Sequence, residues 1–344
     1  MKLYDNNGYA NIGAIIDLNL PFNFIVGGRG TGKTYGALKE LYKRELKFML
    51  MRRTQTQLDT ISKPEFSPFK SLNRDMELSV GIVQVGKYNG AFYNMIPGEK
   101  PGTLIAEGLP IGYTCALSTV ANLRGFDASD VKVLLYDEFI PEGHERPIKN
   151  EGAAFLNAYE TINRNRELYG ENPLQVIAMA NANELANPIF LEMGIATQAE
   201  KMIRKGQSYS IDKERGIGLF FLIDSPISNK KNNTALYRAC KSNFSDMAIK
   251  NIFVDEDSAT IKPSNLKEYK PLVAIGELCV YEHKAKPLFY CCSHISGTPP
   301  IYGTGDIEKT RFARAYSWLW LAYLDKKIIF ETKLCEKLLT KFLN

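Results

Sequence analysis

Metal-binding spacing is missing from this chain. Its six cysteines, Cys115, Cys240, Cys279, Cys291, Cys292 and Cys335, contain no Cys-x-x-Cys pair, and only three histidines accompany them. A structural zinc site needs two ligand pairs at suitable separation, so zinc is excluded as the organising element. Scattered thiols suit a reducing compartment. Residues 1–7 lack the basic-then-apolar layout of a secretory leader. The longest apolar stretch, residues 316–324, is far too short to span a bilayer. The expectation is a soluble, intracellular protein with no membrane partner. A strong charge bias is also lacking. The formal net charge of +5 permits contact with nucleic acid without requiring it.

What is present is material for large cores: 344 residues, 45% hydrophobic and 11% aromatic. That length exceeds the usual single domain, so two domains are expected. Up to about residue 200, short β-type runs alternate with helical patterns, the signature of an α/β domain with a mainly parallel sheet. Strands are expected at 22–26, 48–51, 131–136 and 174–180, with helices at 35–46 and 151–168. After about Gly206 the character changes. Residues 225–234 are polar and turn-rich and 235–250 have a short helical pattern, so 207–254 reads as a linker subdomain. Beyond it, runs at 272–281 and 288–293 flank a basic turn, and helices near 308–323 and 333–342 close the chain. The division expected is 1–206, 207–254 and 255–344.

The most informative segment is Gly27-Gly28-Arg29-Gly30-Thr31-Gly32-Lys33-Thr34, which matches G-x-x-x-x-G-K-[ST] between a strand and a helix. Glycines let successive backbone N–H groups turn inward around phosphate oxygens, and the helix N-terminus adds a favourable dipole. In such a loop Lys33 reaches the β- and γ-phosphates of ATP and Thr34 ligates Mg²⁺. The run Val131-Lys132-Val133-Leu134-Leu135-Tyr136-Asp137-Glu138 supplies the expected partner, an apolar strand ending in two carboxylates. Asp137 suits Mg²⁺, and Glu138 suits orientation and deprotonation of an attacking water. A kinase needs no such second acid, so the pair favours hydrolysis coupled to work. Asn181, ending the run 174–180, fits two roles equally: a γ-phosphate sensor or a turn former.

With GGRGTGKT, LLYDEF and AMANAN in this order, the chain resembles the DNA-packaging ATPases (encapsidation proteins) of small tailed phages with protein-primed genomes. Met51-Arg52-Arg53 after the second strand, Asn163-Arg164-Asn165-Arg166-Glu167 at the end of the next helix, and Asn187-Pro188 strengthen the match. It covers roughly residues 15–190. The resemblance implies an additional-strand, catalytic-glutamate (ASCE-type) P-loop NTPase domain followed by a smaller α+β, RNase H-like, vestigial nuclease domain. It implies a homo-oligomeric ring, five subunits in the family, on the portal vertex of a procapsid in the host cytoplasm. Double-stranded viral DNA and a structural packaging RNA are the implied partners. It further assigns Arg164 as an arginine finger acting on a neighbour's ATP, and Arg124 as a second trans-acting cation. The relative carries lysine at the latter position, so the charge is kept and its shape changed.

Helical geometry bears on one assignment. With Phe155 centring the apolar face, Arg164 falls opposite at about 100° per residue, while Arg166 aligns with Tyr159 and Ile162 as an internal ion-pair partner. The alternative is two solvated arginines favouring the helix dipole. In the carboxy-terminal part, Cys279-Val280-Tyr281-Glu282 offers one acid and Cys291-Cys292-Ser293 none, where a two-metal nuclease needs clustered carboxylates. Lys284, Lys286, Lys326 and Lys327 are candidate nucleic-acid contacts or simply solvated surface. Residues 141–150, with His144, Arg146 and Lys149, are a candidate pore loop. Two rival functions remain: a terminase-type motor with an active metal-dependent nuclease, and a nucleotide-switched protein that docks on a capsid vertex without doing work. A DNA-cleavage assay separates the first, and turnover indifferent to DNA the second.

Overall fold

Strands buried on both faces must be almost continuously apolar, and four such runs lie within one sheet in the computed structural model of this chain. It describes residues 1–123, 127–142, 144–223, 225–231, 234–239 and 264–343. Among these, the chain opens with α1 (Ile12–Ile16), β1 (Phe22–Gly27), α2 (Lys33–Lys43), β2 (Phe48–Arg52), α3 (Gln55–Ile61) and α4 (Lys70–Asp75). Next come β3 (Val80–Gln84), β4 (Gly90–Pro97), β5 (Leu104–Ala116), β6 (Val133–Asp137), α5 (Glu151–Asn163) and β7 (Gln175–Ala180). These are followed by α6 (Pro188–Glu192), α7 (Ala196–Arg204), β8 (Tyr209–Asp212), β9 (Ile217–Leu222), α8 (Pro226–Lys231) and α9 (Ala235–Ala239). The rest comprises β10 (Tyr269–Ile275), β11 (Leu278–His283), β12 (Phe289–Cys292), β13 (Ile301–Tyr302), α10 (Asp306–Ala315), α11 (Trp318–Leu324), β14 (Ile328–Phe330) and α12 (Lys333–Leu343).

Two compact units result, Met1–Asn183 with Ser208–Val254, and Glu184–Gln207 with Asp255–Asn344. In the first, nine strands of the described residues form one sheet in the order β3-β4-β5-β2-β6-β7-β1-β9-β8. The pairings from β5 through β2, β6, β7 and β1 to β9 are all parallel. Both edges are antiparallel. One core gathers Ile25, Leu135, Ile177 and Leu222 of the sheet with Ile12, Ile15, Leu38 and Leu41 of α1 and α2. On the other face Phe155 of α5 stacks on Tyr136, ring centroids 5.8 Å apart, and Phe139 meets Phe24 at 5.6 Å. Parallel strands put all their carboxyl ends on one edge, where open α/β sheets bind ligands.

The expected parallel α/β core is present, with several corrections. The segment 207–222 is no linker: β9 pairs with β1 from Phe22↔Ile217 to Gly27↔Leu222, and all six β9 residues are buried. Residues 232–233 and 240–263 lie outside the described residues, and with them most of the helical pattern expected at 235–250. The cut expected at 206 also moves, because α6 and α7 belong to the second unit. The antiparallel strands β3, β4 and β5 were not anticipated. The helix expected over 151–168 stops at Asn163, and Arg164 and Asn165 take positive φ angles of 49° and 58°. Beyond that bend Arg166 turns inward onto the carbonyls of Ala128 and Val131.

The second unit carries a sheet in the order β13-β10-β11-β12-β14. Its centre is an antiparallel meander, flanked on each side by a parallel strand. The run 272–281 is a hairpin rather than one strand, because Gly276 at φ 54° reverses the chain. The helix expected over 308–323 breaks at Tyr316 and Ser317 into α10 and α11. The final helix stands as expected, with Leu334, Leu338 and Phe342 buried at four-residue spacing.

Candidate nucleotide site

The glycine-rich segment leaves β1 at its carboxyl end and enters α2 at Lys33. Gly32 caps the helix at φ 82°, and a Cβ there would sit 2.9 Å from Cδ1 of Tyr9. A Cβ on Gly27 would meet Leu222 of β9 at 2.8 Å. Left-handed backbone and close packing therefore both demand glycine here. The loop is braced from inside by Thr31, whose hydroxyl donates to the Gly28 carbonyl at 2.9 Å. It is braced from outside by the Ala10 N–H donating to the Thr31 carbonyl at 2.9 Å.

Lys33 lies across this loop. Its ammonium donates to the carbonyls of Gly27 and Gly28 at 2.8 and 2.9 Å and stands 3.5 Å from Oδ1 of Asn181. The Thr34 hydroxyl donates to Oδ1 of Asp137 at 3.0 Å. Thr34 follows β1 and Asp137 ends β6, yet β7 lies between those strands. The strand order thus brings Asn181, just past the end of β7, between loop and acids. One cleft of about 400 Å³ is lined by Arg29, Gly30, Thr31, Gly32, Lys33, Thr34, Asp137, Glu138 and Asn181. A hydroxyl and a carboxylate in contact are oxygen donors of the kind Mg²⁺ takes together with substrate phosphates.

Glu138 breaks the strand conformation with φ 60°, and its side chain is about half exposed. Arg52, ending β2, bridges both acids: Nη2 to Oδ2 of Asp137 at 2.9 Å and Nη1 to Oε2 of Glu138 at 2.6 Å. Arg53 points the other way and is fully buried. It forks onto Glu151 at 2.6 and 3.0 Å and reaches Glu145 at 2.9 Å. Burial is the largest single effect and works against that guanidinium's charge, but the hydrogen bonds it donates to Glu151 together with the nearby charges of Glu151 and Glu145 outweigh it, and the pKa rises above the ordinary arginine value. Sequence reasoning noticed Arg52 and Arg53 as part of a pattern and gave neither a partner. Their signal was two cations ending an apolar strand. Arg29 pairs with Glu142, tying the glycine loop to the segment after the acids. His144, Arg146 and Lys149 of that segment are exposed.

Arg164 is not in this cleft. Arg166 is buried and donates to the carbonyls of Val131 at 2.5 Å and Ala128 at 2.9 Å, which precede β6, whereas Asp137 ends it. The end of α5 therefore lies at the opposite sheet edge, about 20 Å from Asp137 by strand rise. Arg166 is internal as expected, but its partners are carbonyl oxygens rather than a carboxylate. Arg164 caps α5 with its N–H still donating to the Glu160 carbonyl at 3.0 Å, takes a left-handed φ of 49°, and pairs with Asp127 at 3.1 Å. Arg124 lies outside the described residues.

A glycine-rich turn from strand to helix faces an acid pair across an intervening parallel strand, in a mixed α/β fold with a large, mainly parallel sheet. Residues 4–278 match the model of the podovirus DNA encapsidation protein (Gp16) family, and the chain belongs to that family. It is 25% identical over 202 residues to the DNA packaging protein of Bacillus phage phi29, covering 57% of this chain and 53% of the relative. With the DNA packaging protein of Bacillus phage B103 it shares 27% identity over 188 residues, 52% of this chain and 50% of that one. The chain thus spans about half the length of the curated relatives it matches. The solved structure of the Phi-28 gp11 DNA packaging motor is similar in fold, with a TM-score of 0.60 at 18% identity over 98% of each chain.

Proposed function

We propose that this chain is an ATP-hydrolysing subunit of a homo-oligomeric ring of five that drives double-stranded viral DNA into a capsid at its portal vertex. The work is done in the host cytoplasm with a structural packaging RNA as a further partner. The observation that carries the reading is the contact of Thr34 with Asp137 at 3.0 Å, with Lys33 and Glu138 lining the same cleft. In this reading the backbone from Gly27 to Gly32, with Arg29, Thr31 and Lys33, cradles the phosphates of ATP, and Asn181 senses the terminal one. Thr34 and Asp137 hold Mg²⁺, which neutralises phosphate charge. Glu138 orients the attacking water and takes its proton. Arg164 sits about 20 Å from its own acid pair, which supports action on a neighbouring copy. Arg124 is its companion by resemblance.

For the second unit the proposal is a vestigial, RNase H-like nuclease domain kept for docking. Its support is Glu282, whose carboxylate is held by Lys270 at 3.1 Å. The test of the whole reading is hydrolysis by purified protein with and without duplex DNA and empty capsids. Glu138→Gln should bind ATP yet turn over at least ~100-fold more slowly. Arg164→Ala and Lys33→Ala should each be inactive alone and partly active when mixed. Wild-type turnover by Glu138→Gln, or mixed rings that never recover activity, would overturn the assignment.

A further inference from the structure

One aromatic ring beside the glycine loop has no task in the phosphate chemistry. Tyr9 lies against Gly32: a Cβ on that glycine would stand 2.9 Å from Cδ1 of the ring and 3.3 Å from Cγ. Yet Tyr9 is 41% exposed, and it stands outside the cleft that Lys33 shares with the acids. The turn that carries it is tightly held. The Asp5 N–H donates to the Tyr9 carbonyl at 2.8 Å, and the Tyr9 N–H donates to Oδ1 of Asp5 at 2.9 Å. The next residue is tied to the loop itself, by the Ala10 N–H donating to the Thr31 carbonyl. The turn also meets the residues that follow β9. The Tyr4 hydroxyl donates to the Ile223 carbonyl at 2.6 Å, and that of Ser225 to the Gly8 carbonyl at 3.4 Å. A half-exposed tyrosine on so fixed a turn loses little freedom when a ligand covers it.

Strand order decides which part of a nucleotide reaches this ring. Along the sheet the acids end β6, Asn181 follows β7, the glycine loop follows β1, and the turn carrying Tyr9 adjoins the end of β9. The acids and Tyr9 therefore flank the loop on opposite sides. A triphosphate whose terminal phosphate meets Asp137, Glu138 and Asn181 leads its sugar and base out on the far flank. We infer that Tyr9 is the platform on which the adenine base of ATP stacks. The inference rests on the ATP reading above and adds the residue that grips the nucleoside, since the glycine loop contacts phosphates alone. Stacking reads the π-face of a base rather than its edges, so the larger purine ring gains more from it than a pyrimidine does. The ring supplies this contact without its hydroxyl.

The experiment is titration calorimetry of the full chain with non-hydrolysable analogues of ATP and CTP and with inorganic tripolyphosphate, each with Mg²⁺, for wild type, Tyr9→Ala and Tyr9→Phe. Tyr9→Ala should lose at least ~10-fold in affinity for the ATP analogue while its affinity for tripolyphosphate stays within ~2-fold of wild type. Wild type should prefer the ATP analogue to the CTP analogue, and Tyr9→Ala should lose most of that preference. Tyr9→Phe keeps the ring and should stay within ~2-fold of wild type for all three ligands. Equal losses for the ATP analogue and tripolyphosphate would mean that Tyr9 only braces the glycine loop. An unchanged affinity of Tyr9→Ala for the ATP analogue would place the base elsewhere. Either result overturns the inference and leaves the ATP reading standing. If wild type binds neither the ATP analogue nor tripolyphosphate, the ATP reading falls and the platform with it.

Discussion

Replacing Arg53 tests whether the segment after the acid pair is held from the sheet. Arg53 is fully buried and Glu151, the first residue of α5, is 2% exposed, so their forked pair is dry. Breaking a buried pair from one side costs about 3–5 kcal/mol, because the remaining charge is left in low dielectric. The second arm, to Glu145, is partly exposed and adds about 0–1 kcal/mol. Arg53→Ala should therefore destabilise by about 4 kcal/mol, a large share of the 5–15 kcal/mol that stabilises a typical domain. Arg53→Ala/Glu151→Ala removes both charges and should cost less than the sum of the single changes, with a coupling of about 2–3 kcal/mol. Denaturant unfolding should be followed by far-ultraviolet circular dichroism, since both tryptophans, Trp318 and Trp320, lie in the second unit. Hydrogen exchange over residues 144–150 should accelerate at least ~10-fold in Arg53→Ala, because Glu145 loses its cation. A cost below about 1 kcal/mol, or an additive cycle, would refute the reasoning.

Arg52→Lys keeps the charge but cannot bridge Asp137 and Glu138 with two parallel donors. Steady-state hydrolysis should show kcat reduced ~10-fold with KM for ATP changed less than ~3-fold, and an unchanged kcat would remove Arg52 from the site. In the second unit, burial pushes the Glu200 carboxyl up to about 7 despite a hydrogen bond from Thr332. The folded state then holds this proton to higher pH than the unfolded chain, so stability falls as pH rises from about 4.5 to about 7 and levels off beyond. Glu200→Gln removes the penalty. Its gain in Tm over wild type should grow between pH 5 and pH 8, toward an equivalent of about 2–3 kcal/mol, and a gain independent of pH would contradict the assignment.

The cleft at the glycine-rich turn was legible in sequence because its residues are local. Strand, glycine turn, lysine and threonine are contiguous, and the turn needs glycine wherever it occurs. The acid pair was legible because a strand buried on both faces must be apolar until it emerges. Apolar runs report burial but not neighbours. That Asn181 reaches Lys33, and that Arg52 meets a glutamate 86 residues later, depends on β2 lying beside β6 and β7 beside β1. Strand order is an outcome of packing with no local cost in sequence. The same holds for β9, whose residues read as part of a linker until β1 is seen to pair with them on the side away from β7. At the end of α5 the helical pattern pointed onward past Asn163. Tertiary structure stopped it: beyond the left-handed bend at Arg164 and Asn165, Arg166 turns inward and donates to the carbonyls of Ala128 and Val131. Propensity sets what a segment can form, and the polar groups it pairs with on folding take part in deciding where it ends.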